Sequence, residues 1–403
     1  MNNTYKSLIK STTLKLVNYI ENESYKGWDP YDGLNSKIFR KLNFNCFSFF
    51  RLAWIQLFKR NPINLRNLFL ISKGYNSKGL GLMISGYSKL LLARKEKPEL
   101  LEEIDELENK INNLCEILIT MKSRGYSGAC WGYNFDWQAR GGLFFKANTP
   151  TVVATTYAAY GLFDAYEATG VKKYLDVALD SVNFVLKDLK RDYRPSGSFL
   201  FSYSVGFGNN TVYNASLLGS KLLAKAFSYN NNKQLLVVAK GSVDAAIEAQ
   251  LEDGSWVYGE LKIQSWKDSY HTGFNLESLN EYYKYSKDED VIPVIKKGFN
   301  YYINNFFTDS GIPKYYHNNI YPIDIHSPAQ LIVTLVNLEK FIENRILVNK
   351  VITWTIKNMY DEKGYFYYQK KKYFKSKIPY MRWSQAWMMH SMILLNISKL
   401  KNE

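Results

Sequence analysis

Two aspartate and histidine pairs are the residues best placed to do chemistry. Asp268 precedes His271 by three positions and Asp324 precedes His326 by two, although the chain holds only four histidines. A carboxylate beside an imidazole can tune a general acid or base. If a helix starts between the two, the positive end of its dipole acts on both. The plainer reading is structural, with Asp268 capping a helix and His271 satisfying a buried carbonyl. For Asp324 and His326 that reading is stronger, because Ser327 followed by Pro328 already marks a helix start.

The elements that must position these residues follow from a repeat. Glycines 197, 254, 311 and 364 each open an aromatic turn, spaced by 57, 57 and 53 residues, and Gly128 in GACWGY is read as a fifth copy 69 residues upstream. Periods of this size leave room for two helices and one elaborate loop per unit. Apolar spacing predicts helices near 171–190, 288–307 and 340–359 before the turns and one ending near Gln250, with further helices starting near Thr151, Tyr213, Ser327 and Ser384. Residues 1–125 carry weaker copies, with helices expected near 4–22, 37–58, 62–72, 78–95 and 98–122. The chain is therefore expected to be all-α and one domain over residues 1–403, an (α/α)6 or (α/α)7 toroid rather than an open solenoid.

In such a toroid the aromatic turns and the N-termini of the inner helices gather at one end. The residues placed there are Tyr203, Tyr213, Asn214, Trp256, Tyr258, Tyr270, Arg382 and Gln385, beside the two pairs already named. WGYNFDWQAR adds the carboxylate Asp136 and the cation Arg140 among the flat faces of Trp131 and Tyr133. Aromatic faces with a few convergent polar groups suit a sugar. An aromatic plug held by an Asp to Arg ion pair is the plainer alternative. Asp29 and Asp32 in GWDPYDGLNS repeat that chemistry, although Asp before Pro is also ordinary turn punctuation.

Composition narrows the partners. Hydrophobic residues at 46% and aromatics at 16% exclude disorder for most of the chain, and a net charge of +15 is compatible with an anionic partner, with a lysine-rich solvated face the plainer reading. Three widely spaced cysteines suggest neither a disulfide framework nor a metal site, and the N-terminus has no signal-peptide core, so a cytoplasmic protein is expected. No nucleotide-binding glycine loop, HExxH or GxSxG is present; no cofactor, metal or nucleic acid is expected. The apolar run Leu42 to Phe58 is too polar to span a membrane and is read as a buried helix; Lys37, Arg40, Lys41, Lys59 and Arg60 bracket it, which makes peripheral membrane contact a lesser reading. The basic aromatic segment 364–377 alternates like a β-hairpin.

GWDPYDGLNS, WGYNFDWQAR with NTPTVVATTYAAYGL, VYNASLLGSKLLA and WKDSYHTGFNLESL together resemble the α/α toroid enzymes of the six-hairpin glycosidase type, including members associated with bacterial and archaeal polysaccharide biosynthesis. The resemblance implies a carbohydrate-active enzyme that cleaves or edits an acidic oligosaccharide as hydrolase, lyase or epimerase. For hydrolysis Asp136 and Asp268 would be the carboxylate pair. For elimination or epimerisation His271 or Tyr213 would take a proton while Arg140, Asn214 or Arg382 neutralised the substrate carboxylate. A non-catalytic glycan-binding scaffold is one alternative. A terpenoid cyclase or prenyltransferase toroid is the other, since AAIEAQLEDGSW resembles its repeat, but it would need an apolar funnel.

Overall fold

Six of the fourteen described helices are buried on most sides, which requires a shell of others around them. The computed structural model describes residues 3–42, 46–139, 143–206 and 211–400. In chain order its helices are α1 (Asn3–Asn22), α2 (Lys37–Lys41), α3 (Ser48–Arg60), α4 (Ser77–Arg94), α5 (Leu107–Thr120), α6 (Val152–Thr169) and α7 (Lys172–Asn183). They continue as α8 (Tyr213–Asn230), α9 (Lys233–Glu248), α10 (Ser269–Ser286), α11 (Val291–Phe306), α12 (His326–Asn337), α13 (Arg345–Met359) and α14 (Ala386–Leu400).

Helices α4, α6, α8, α10, α12 and α14 pack each on the next, and α14 returns to α4, closing an inner ring. Helices α1, α5, α7, α9, α11 and α13 form the outer layer. The number of hairpins is thus six. Outer helices bury one stripe: in α11 it is Val291, Val294, Gly298, Tyr301, Tyr302 and Phe306, at helical spacing. Inner helices are covered on most sides, as in α6, where fourteen of eighteen residues are buried. Small residues let them approach closely, and a Cβ on Gly81 of α4 would lie 2.2 Å from the Tyr157 carbonyl oxygen of α6.

The recurrent glycines have a common task. Gly197, Gly254, Gly311 and Gly364 all have φ between +82° and +94°. Each donates its N–H to the carbonyl three residues earlier, and that earlier residue donates to the carbonyl just after the glycine, as in Gly254 to Leu251 and Leu251 to Ser255. This is a tight hairpin whose left-handed position favours glycine. In the upstream copy the left-handed residue is Gly125 (φ +86°) rather than Gly128.

Each loop is laced to the start of the preceding inner helix. Ser77 donates to Gly132, Val152 to Tyr203, Glu260 to Thr211, Ser269 to Tyr315, Ile325 to Tyr368 and, across the chain closure, Met381 to Trp28. The ring of loops therefore closes as the ring of helices does. Inner helices are also joined by ion pairs, Lys221 of α8 with Glu277 of α10, both buried, and Lys225 of α8 with the exposed Glu167 of α6.

Several expected boundaries are corrected. Residues 37–58 hold two helices, α2 and α3, not one. Residues 62–72 are turns, because Asn61 and Asn64 bond backbone N–H groups two residues on and Arg66 is drawn inward to Asp32 and the Asp29 carbonyl. Helix α5 starts at Leu107, after Glu106 in a left-handed conformation (φ +45°), rather than near 98. Thr151 caps α6 as the sequence suggests, whereas Asp324, not Ser327, receives the first free N–H of α12. The hairpin expected at 364–377 is present: Gln369–Lys370 pairs with Lys375–Ser376 and also with Ile323–Asp324.

Candidate active site

Where the six loops and the six inner-helix N-termini meet there is a cavity of about 360 Å³. Tyr133, Tyr203, Asn214, Tyr258, Tyr270, His271, His326 and Arg382 all line it. Flat faces come in stacked pairs: Tyr258 on Trp266 at 4.5 Å, Trp137 on Phe145 at 5.2 Å and Tyr133 on Phe135 at 5.4 Å. The wall also carries cations and imidazoles, so it is not the apolar funnel that a prenyl-type toroid needs.

Both aspartate and histidine pairs are built, and in both the carboxylate lies behind the ring. Asp268, with a fully buried side chain, caps α10 by accepting the His271 N–H at 3.0 Å. Its other oxygen meets His271 Nδ1 at 2.7 Å and accepts from Trp266 Nε1 at 2.9 Å. The imidazole, held between the Tyr258 and Tyr270 rings at 4.6 and 4.4 Å, reaches the cavity. Asp324 accepts from the His326 N–H, Trp383 Nε1 and Gln369 Nε2, with His326 Nδ1 3.6 Å away. Burial pushes the His326 imidazole down to about 4, and Asp324 offsets only part of that, so this ring is neutral at pH 7. Tyr270 touches both histidines, at 4.4 and 5.0 Å between ring centres.

The remaining carboxylates stand off the cavity. Asp136 accepts from the Ala147 N–H at 2.8 Å and faces Arg40 at 3.3 Å, organising its own loop. Asp29 takes Arg382 in a two-pronged bond of 2.6 and 2.8 Å, and Asp32 takes Arg66 at 2.8 Å. Among the described residues no Asp or Glu lines the cavity. Trp131 and Trp256 are also structural, each donating its indole N–H to the preceding outer segment, at Leu118 and Ala246. Gln385 bonds both backbone groups of Phe366, and Tyr213 packs on Leu200 and Ala245. Arg140 lies outside the described residues.

Several cavity residues were missed in the sequence, among them Trp266, Tyr315, Trp383 and the buried cation Lys78. Lys78, in the first turn of α4, is 4% exposed, with Nζ 4.2 Å from the Tyr157 ring centre and 5.1 and 5.2 Å from Phe274 and Trp387. It makes no ion pair among the described residues. Burial first, and the nearby Arg382 second, hold its pKa well below that of an ordinary lysine. The signal was available: a lysine directly after an Asn–Ser helix start occupies the end of the helix dipole that repels it. Asn214 adds a polar group of the same kind, since its Nδ2 is buried without a partner at the cavity wall.

Two expected outcomes follow from these burials. Asp29→Ala strands Arg382 as an unpaired buried cation near Lys78 and should cost about 3–5 kcal/mol in chemical denaturation. Adding Arg382→Met should restore most of it. The second concerns acid. His326 and His390 are both depressed to about 4 from 6.5, so the unfolded chain binds protons first and stability falls as pH drops from 6.5 through 4, by roughly 3 kcal/mol per histidine. Asp32 opposes this, because burial raises it to about 6 against the pull of Arg66 and the folded state gains its proton below that pH. Urea midpoints at pH 7 and pH 5 should therefore show a net loss, smaller in His390→Gln.

With this geometry in place, comparison with known proteins places the fold. The profile of Glycosyl Hydrolase Family 88 matches residues 238–403, less than half of the chain. No curated protein matches. Among solved structures, a GH76 alpha-mannanase of Bacteroides thetaiotaomicron aligns with TM-score 0.60 at 16% identity, over 81% of this chain and 87% of its own. A cellobiose 2-epimerase of Bacillus thermoamylovorans gives 0.61 at 12%, over 81% and 88%. An unsaturated glucuronyl hydrolase specific for heparin gives 0.61 at 12%, over 100% and 99%. The chain has the α/α toroid fold of the six-hairpin glycosidase type.

Proposed function

We infer that the protein is a carbohydrate-active enzyme that edits an anionic oligosaccharide by moving a proton at a carbon beside its carboxylate. The observation that carries this reading is the pair of imidazoles, His271 bonded through Nδ1 to buried Asp268 and His326 with Nδ1 3.6 Å from buried Asp324, lining a cavity whose described wall contains no carboxylate. Hydrolysis by paired carboxylic acids requires both to flank the bond; Asp136 and Asp268 stand behind the wall instead. The toroid relatives and the partial family match support the carbohydrate class.

In this reading His326, neutral at pH 7, takes the carbon-bound proton. Lys78 and Arg382 stabilise the charge that collects on the carboxylate as the proton leaves. His271, oriented by Asp268, returns a proton to the opposite face for epimerisation, or protonates a departing oxygen for elimination. Aromatic stacking and the Asn214 amide fix the sugar rings. The protein acts in the cytoplasm on this reading.

Incubation with uronic-acid and neutral oligosaccharides in deuterated water tests it. Deuterium at carbon without chain cleavage marks epimerisation, and ultraviolet absorbance from a new conjugated double bond marks elimination. New reducing ends without a double bond would overturn the proton-transfer reading in favour of hydrolysis. Absence of any turnover alongside tight binding would favour a scaffold.

A further inference from the structure

We propose that the face built by α2, α3 and the turns up to Lys73 docks on an anionic lipid surface. From Lys37 to Lys73 the sequence contains eight Lys or Arg and no Asp or Glu. Its apolar side chains are also turned outward to an unusual degree: Phe49 is 73% exposed, Leu68 69% and Ile63 67%, with Phe47 and Leu70 also over half exposed. Along α3 the outward stripe is Phe49, Ala53 and Leu57 at one-turn spacing, ending in Arg60. Scattered exposed apolar residues are ordinary, but a concentrated patch rimmed by charge of one sign marks an interaction surface.

The patch is a built unit. Phe69 packs edge-on against Trp54 and Phe58, joining the turns to α3, and Ser36 Oγ donates to the Phe69 carbonyl, joining them to α2. Buried Arg66, paired with Asp32, anchors the turns from beneath. Beside the exposed leucines an open recess is lined by Lys37, Asn67, Leu70 and Lys73, of which Lys73 is paired with Glu23 and Lys37 is left to meet a phosphate headgroup. The exposed Lys41 and Arg60 supply further positive charge at the rim.

Charge selects the occupant. A second copy of the chain meeting this face symmetrically would set its basic rim against an identical one, whereas an anionic bilayer complements the rim and takes up the apolar tips. The contact is peripheral, because no described helix is long and apolar enough to cross a membrane. The opposite side of α3, at Leu52, Ile55, Gln56 and Lys59, lines the cavity. Docking therefore fixes the cavity mouth beside the lipid headgroups.

Vesicle co-sedimentation of the whole protein tests the proposal, using neutral phosphatidylcholine vesicles and the same vesicles containing phosphatidylglycerol. Binding at least tenfold tighter to the anionic vesicles is expected, weakening as salt is raised. Phe49→Ser with Leu57→Ser, and separately Lys37→Glu with Lys41→Glu and Arg60→Glu, should each lower that binding at least tenfold while leaving the circular dichroism spectrum unchanged. Failure of the unaltered protein to bind, or binding that survives the charge reversal, overturns it. So does a dimer in analytical ultracentrifugation that Phe49→Ser with Leu57→Ser dissociates, since the face would then belong to a second copy.

Discussion

His271→Ala is expected to lower turnover by roughly 100-fold or more, the scale for losing a positioned acid or base, with little change in thermal stability. The ring is 20% exposed at the cavity edge, and Asp268 keeps its bonds to Trp266 Nε1 and to the backbone N–H at residue 271. The cap on α10 therefore survives the substitution. Deuterium incorporation into substrate by variant and parent, followed beside thermal denaturation, separates the two roles. Full activity, or loss of the fold, would make His271 a structural residue. Asp268→Asn discriminates further: residue 268 meets the imidazole at Nδ1 and does not line the cavity, so a positioning role predicts an altered pH profile of turnover as well as a lower rate.

Lys78→Met should raise the KM for an anionic oligosaccharide about 10- to 100-fold, the worth of one hydrogen bond to a charged group, and leave the protein at least as stable as before. A lone buried ammonium is a cost that the fold carries. Its pKa lies well below 10.5, so the folded protein gives up that proton before the unfolded chain does, and stability rises with pH from the depressed value towards 10.5. The methionine variant should lose that slope. A substrate carboxylate arriving beside Lys78 favours its charged form, so binding should draw a proton from solution and weaken as pH rises. Calorimetric titration in buffers of different ionisation enthalpy measures that uptake directly, and its absence would remove Lys78 from the binding site.

The repeat was legible because four glycines with the same left-handed task recur at nearly constant spacing, and each drags its aromatic turn and two helices with it. Both histidine pairs were legible for the same reason, being polar residues at equivalent helix starts. What the spacing could not show is depth. Asp268 and His271 lie one helical turn apart, yet one is fully buried and the other faces the cavity, because a capping side chain folds back on the N–H groups of its own helix. Asp29, Asp32 and Asp136 were credited as site groups from the aromatic motifs that hold them, and each is taken up by an arginine at least 34 residues away in sequence, pairings that local sequence does not show. Lys78 escaped notice because the first repeat lacks an aromatic glycine turn to mark it. The α3 region misled by hydropathy, which reads a helix turned outward as a helix buried.

The lacing of each loop to the preceding inner helix also governs how the molecule comes apart. An open stack of hairpins has two terminal units that can fray while the centre holds. Here the Met381 to Trp28 hydrogen bond and the packing of α1 on α14, including Asn396 to Thr13 at 3.0 Å, remove that distinction. Every hairpin has a neighbour on both sides, so releasing one strips a flank from two others. The terminal hairpins should then open no more readily than the central ones, and amide protons in the inner helices of the first and last hairpins should exchange as slowly as those of the middle ones.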